Sequence, residues 1–162
     1  MQWRAIEDFP GYSVSNLGRV RNDDRDRVLA LQRNQRGVVH VGMVRNGVQH
    51  KRSVAVLVAR AFLGEPEPPI FDTPIHLDGN TANNEVSNLM WRPRWFAMKY
   101  LRQFRREPLI QRQIQEVETG YRFNNSMDAA MRYGLLDEDI RMGIAKRTYV
   151  WPTYQHFRVV GE

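Results

Sequence analysis

The pattern of apolar and polar positions divides the chain into three stretches. In residues 1–52, short apolar alternations are broken by turn residues: PGYSV and GRVR flank Asn16-Leu17-Gly18, and VVHVGMV alternates in part before Asn46-Gly47. An Asn-Gly pair between alternating segments signals a two-residue hairpin, because both residues tolerate positive φ. Strands are therefore predicted near Val38–Val44 and Val48–Arg52. The period then changes. Ser53 can cap a helix, and Ala55, Leu57, Val58, Ala61 and Phe62 form one apolar helical face that ends at Gly64.

Residues 64–74, GEPEPPIFDTP, contain four prolines and read as a stiff connector. A short apolar piece, Ile75–Leu77, leads into the turn Asp78-Gly79-Asn80 and then NNEVSNLMW. Arg92 to Arg106 is predicted as a helix with Pro93 in its first turn, carrying Arg92, Arg94, Lys99, Arg102, Arg105 and Arg106 among Trp95, Phe96, Tyr100 and Phe104. After Glu107-Pro108, two strands are predicted around Thr119-Gly120. Ser126 then caps a helix ended by Gly134, and Asp137 caps another. Two short helices across a Gly-containing turn resemble a helix-turn-helix. The expected fold class is α+β: a small N-terminal sheet with a helix (1–63), a ββα core with a basic helix (64–106) and a small β/helix-turn-helix module (107–162). Trp3, Trp91 and Trp95 are expected in the core.

Composition narrows the function. Hydrophobic residues make up 42% of the 162, enough for a packed core. The absence of cysteine excludes disulfides, thiolate zinc sites and cysteine nucleophiles. The N-terminal MQWRAIEDF lacks the apolar run of a signal peptide, and Val54–Leu63, interrupted by Arg60, is too short to span a bilayer. A cytoplasmic location with no membrane partner is expected. The net charge of +6 suggests a polyanion. Residues 1–106 hold 17 Lys+Arg against 10 Asp+Glu, while residues 107–162 hold 7 against 8, so that contact is expected mainly in the first two thirds. The candidate nucleic-acid contacts are Arg19 and Arg21; Arg45, Lys51 and Arg52 beside the hairpin; Arg92, Arg94, Lys99 and Arg102; and Arg141, Lys146 and Arg147 in the last helix. That last helix opens with Asp137, Glu138 and Asp139, which repel phosphate, so a protein stays open as its partner.

The stretch PIHLDGNTANNEVSNLMW, residues 74–91, carries the chemistry. A histidine on a short strand is followed by an Asp-Gly-Asn turn, by an Asn twelve residues later, and by an Asn-Leu-x-Trp strand leading into a helix. This resembles the ββα-metal core of phage-type HNH homing endonucleases. The N-terminal WRAIEDFPGYSVSNLGRVRN and the later LVARAF resemble the nuclease-associated module that precedes such cores, and TGYRFNNSMDAAMRYGLLDEDIRMGI resembles the modular helix-turn-helix that follows them. The resemblance implies hydrolysis of a DNA phosphodiester with Mg²⁺ or Mn²⁺, His76 as general base, and Asn88 on the return strand orienting it. Imidazole, with a reference pKa of about 6.5, suits that role.

The departures from the pattern fall on the metal. Ile75 and Ala97 stand at the ligand positions, Phe96 stands where the family has a glutamate, and Ala55 and Val56 replace a His-Arg pair. Neither isoleucine nor alanine offers a hard oxygen donor. Asp78 and Asp72 are the substitutes within reach in sequence, although Asp78 also suits capping of the tight turn. Three readings follow: a DNA-binding protein weak or inactive as a nuclease, an active metal-dependent nicking endonuclease, or a module that binds a host protein.

Overall fold

The short N-terminal alternations pair into two antiparallel sheets. The first is ordered β1 (Trp3–Ala5), β2 (Tyr12–Ser15), β3 (Val20–Asn22) and β4 (Arg27–Val28). The second is ordered β5 (Gln32–Arg33), β6 (Val39–Arg45) and β7 (Val48–Ser53). Asn46 and Gly47 both adopt positive φ, 52° and 75°, as a tight hairpin between β6 and β7 requires. Ser53 caps α1 (Val54–Leu63) by accepting from the Val56 amide, and Gly64 closes the helix at φ 83°. The computed structural model describes all of residues 1–162 and forms two compact units, Met1–Ala97 and Met98–Glu162.

The proline-rich connector leads to a two-stranded hairpin, β8 (Thr73–His76) with β9 (Leu89–Arg92), in which Ile75 faces Met90 and His76 faces Leu89. A single 3-10 turn, Val86–Asn88, precedes β9. Leu89 packs in the same core as Phe9, Val14, Val20, Val41, Met43, Val54 and Val58. The N-terminal sheets, α1 and the hairpin thus share one apolar interior, which crosses the boundary expected at residues 63/64.

Helix α2 (Arg94–Gln103) is shorter than predicted at both ends. Arg92 is still paired with Thr73 in the hairpin, and the Pro93 carbonyl takes the Ala97 amide at 3.0 Å, so Pro93 stands just outside the helix. At the far end Arg105 and Arg106 make three-residue turns back to Arg102 and Gln103.

In the second unit, β10 (Ile114–Glu116) lies between β11 (Arg122–Phe123) and β12 (Phe157–Val159). β12 was not predicted: its three residues pair with β10 across some forty residues of chain, and so short a segment has no period of its own. Two helices follow β11, α3 (Ser126–Tyr133) and α4 (Asp137–Lys146), joined by Gly134, Leu135 and Leu136. Both predicted caps move by one residue. Asn125 caps α3 by accepting from the Asp128 amide at 2.9 Å, because Ser126 is turned inward to bond Ile110. Leu136 precedes α4, because the buried Asp137 carboxylate instead holds Arg106 at 2.8 Å and the Leu109 amide at 2.9 Å. No helix is long and apolar enough to cross a membrane.

Candidate active site

The site is built on the β8–β9 hairpin and the loop that closes it. Asp78 secures the first turn: its Oδ1 accepts from the Asn80 amide at 2.8 Å and from Asn88 Nδ2 at 2.9 Å, and its Oδ2 accepts from Asn83 Nδ2 at 3.0 Å. Asn88 ties the loop together. Its Nδ2 also donates to the Asn83 carbonyl at 2.9 Å, while its Oδ1 accepts from the Asp78 amide at 3.0 Å. These bonds explain the asparagine-rich composition, since a carboxamide can donate and accept at once.

His76 ends β8, half-buried. Its Nε2 lies 2.7 Å from Asn84 Oδ1. An amide oxygen can only accept, so Nε2–H donates and Nδ1 keeps its lone pair. The residue that touches the imidazole is therefore Asn84 rather than the predicted Asn88. Asn88 sits in the 3-10 turn ahead of the return strand and its side chain is spent on the loop. In the sequence Asn84 is not distinguishable from the loop asparagines around it. Which of several neighbouring asparagines meets the histidine depends on how the loop folds back. Burial lowers the pKa of His76 below its ordinary value, against the opposing effects of the Asn84 bond and the Asp78 charge. The imidazole is thus neutral at neutral pH, as a proton acceptor must be.

The surroundings do not fit a divalent ion held by side chains. Ile75 is 3% exposed and part of the apolar interior. Ala97 has no donor atom, and no three His, Asp or Glu side chains gather anywhere in the chain. Asp78 is engaged by three loop donors, and Asp72 Oδ1 accepts from the neighbouring Thr73 hydroxyl.

The candidate DNA contacts separate into classes. Arg19, Lys51, Arg94, Lys99, Arg102, Arg141, Lys146 and Arg147 are exposed. Arg92 is a correction: it is 6% exposed, its guanidinium lies over the Phe96 ring, and it donates to the Trp91 carbonyl, so it is a packed cation rather than a surface one. Arg21 pairs with Asp23 at 2.9 Å and stacks on Trp3. Arg45 and Arg52 both stack on Phe9. Trp95, expected in the core, is 51% exposed beside the basic residues of α2, whereas half-buried Trp91 donates to the Gly64 carbonyl. Arg33 at the end of β5 and Arg36 in the β5–β6 turn are further exposed cations that carry no sequence signal of their own.

A histidine at the end of a two-stranded hairpin, an asparagine-braced loop and a helix following the return strand form the ββα arrangement that the sequence resemblance implied. Comparison with known proteins agrees. Residues 1–44 match the NUMOD4 motif. The chain is 34% identical over 93 residues to the DNA endonuclease I-HmuI of Bacillus phage SP01, and 33% identical over 90 residues to an uncharacterized HNH endonuclease of Acanthamoeba polyphaga mimivirus. Each match covers 56% of this chain; the first covers 52% of the phage enzyme and the second 26% of the mimivirus protein, so the chain spans about half or less of these relatives. A solved structure of I-HmuI, described as an HNH homing endonuclease that binds and cleaves DNA, superposes along the whole chain with a TM-score of 0.55 at 21% identity, covering 99% of that structure. The motif and the relatives make part of this chain similar to HNH endonucleases, and the solved structure shows that it shares the fold of I-HmuI.

Proposed function

We propose that this chain binds double-stranded DNA and is weak or inactive as a nuclease. One observation carries the reading: the histidine and its mounting are intact, while both metal-ligand positions hold residues without a donor, Ile75 buried in the core and Ala97 on α2. Phosphodiester hydrolysis of this type uses a divalent ion to stabilise charge on the scissile phosphate and the leaving oxygen. No such step is assigned to these residues. The exposed cations from Arg19 to Arg147 suit phosphate contacts, which position a protein without reading sequence.

A second reading is favoured by His76 itself. Its neutral ring and free Nδ1 are the equipment of a general base, so a metal-dependent nicking enzyme with an altered ligand set is the alternative. Plasmid nicking with Mg²⁺ and Mn²⁺, run beside a gel shift on the same DNA, separates the two. The expected result is binding that weakens steeply with salt, because phosphate contacts release counterions, with no nicking above background. Nicking lost in His76→Ala would establish the alternative. Absence of a shift at low salt would overturn DNA binding and turn attention to a protein partner.

A further inference from the structure

The segment that matches the NUMOD4 motif meets the loop of the candidate site at two turns: Arg33, beside the β5–β6 turn, donates to Thr81 Oγ1 at 3.3 Å, and the β2–β3 turn lies against the residues that hold His76. The Asn16 carbonyl takes the Val86 amide at 2.9 Å, joining this turn to the loop before β9. Gly18 lies directly against Asn84. A Cβ added to Gly18 would stand 2.9 Å from Asn84 Cβ, 3.2 Å from its carbonyl oxygen and 3.3 Å from its carbonyl carbon. Two of those three atoms are backbone and cannot swing aside. Gly18 also has a φ of 84°, a left-handed conformation that glycine adopts at no steric cost. Asn84 is 5% exposed, so its side chain has little room other than the one it occupies against His76.

We propose that the β2–β3 turn is part of the mounting of His76: Gly18 allows the turn to close on Asn84, and Asn84 holds the imidazole in its Nε2–H form with Nδ1 left as the proton acceptor. Asn84 and Gly18 are positioning residues, neither of which needs to meet a substrate. The inference rests on the reading of His76 as the family's base, but its geometry does not depend on activity remaining. It gives the N-terminal motif a role in the site besides any contact it makes with DNA.

The imidazole tautomer reads this out directly. In protein carrying ¹⁵N-histidine, held at a pH where His76 is neutral, the two ring nitrogens have distinct shifts when one tautomer dominates and converge when both are populated. Native protein is expected to show His76 as the Nε2–H form. Asn84→Ala should move the two shifts together, and Asn84→Asp, which keeps an acceptor oxygen, should restore the native pattern. Gly18→Ala should reproduce the Asn84→Ala spectrum. Gly47→Ala is the control for strain alone, because Gly47 has the same sign of φ, 75°, with nothing within 4 Å of an added Cβ; it should leave His76 unchanged. Amide spectra that remain dispersed establish that each variant is folded. If Gly18→Ala unfolds the chain while Gly47→Ala stays folded, that difference is itself the expected consequence of a turn closed on Asn84, and Asn84→Ala with Asn84→Asp carries the tautomer comparison. A His76 tautomer unmoved in folded Asn84→Ala would overturn the proposal. A native tautomer in folded Gly18→Ala would overturn the part given to the β2–β3 turn. Neither result depends on nicking or DNA binding, so failure here is distinct from failure of the proposed function.

Discussion

At the scale of single residues, two substitutions separate chemistry from support. If loss of nuclease activity lies at Ile75 and Ala97, replacing both with oxygen donors should return part of it. The double variant Ile75→Asp/Ala97→Asn is expected to raise Mn²⁺-dependent plasmid nicking by at least about tenfold, the usual scale of one well-placed change around a metal. Burying a carboxylate at position 75 should cost stability, on the order of 2 kcal/mol without metal, so the gain has to be measured below the variant's Tm. A folded double variant with no added nicking would show that the deficit lies elsewhere. Asn88 should behave in the opposite sense. Asn88→Ala removes three hydrogen bonds to the Asp78–Asn83 loop and strands their partners. It is expected to lose about 2–3 kcal/mol in denaturant unfolding. A cost below about 0.5 kcal/mol would mean the loop is held by other bonds.

At the scale of elements, propensity and packing disagree in α4. Gly143 lies inside the helix, where glycine is normally about 1 kcal/mol worse than alanine. A Cβ there would meet Val150 Cγ2 at 2.9 Å and the Thr148 carbonyl at 3.2 Å. Gly143→Ala is therefore expected to destabilise by about 1–3 kcal/mol, as overpacking does, and thermal melting would show it. A gain in Tm would mean that Val150 moves aside. The same tension between local and distant forces explains the elements misjudged from sequence. Ser126 and Asp137 have good capping chemistry, but each is drawn to a partner far along the chain, Ile110 and Arg106. The strands on either side of Asn46-Gly47 and the helix after Ser53 were legible because their determinants are local.

For the whole molecule, acid should weaken the fold through particular carboxylates. Burial pushes Glu116 up, but bonds from Tyr133, Gln155 and Thr119 outweigh it and leave its pKa below the ordinary value. Glu118 is likewise lowered: burial raises it, and bonds from His156 prevail. A depressed carboxylate contributes stability that is fully present above the unfolded pKa of about 4.3 and is lost as pH falls through the folded value. His76 adds a loss at higher pH: its pKa is lowered in the fold, so its contribution holds above about 6.5 and declines as pH drops below that. Tm should therefore fall slightly from pH 7 to 5 and by more than about 5 °C from pH 5 to 3, and Glu116→Gln should flatten the second fall. A Tm independent of pH across that range would contradict the assignment.

The sequence by itself determined the fold class, the β6–β7 hairpin, α1 and the histidine of the site, because turn chemistry, helical period and the order of the His-x-Asp-Gly-Asn motif are local properties. That Ile75 and Ala97 carry no donor oxygen likewise needs no coordinates. Only the tertiary structure decided which asparagine meets His76, which arginines are free, and where the helices are capped. Arg92 looks like any other basic residue of its stretch until the hairpin folds it over Phe96. Asn84, Asn83 and Asn88 have the same side chain, and what distinguishes them is position: Asn84 is buried between Gly18, sixty-six residues earlier, and His76. Contacts of that span arise from packing, and packing has no period along the chain.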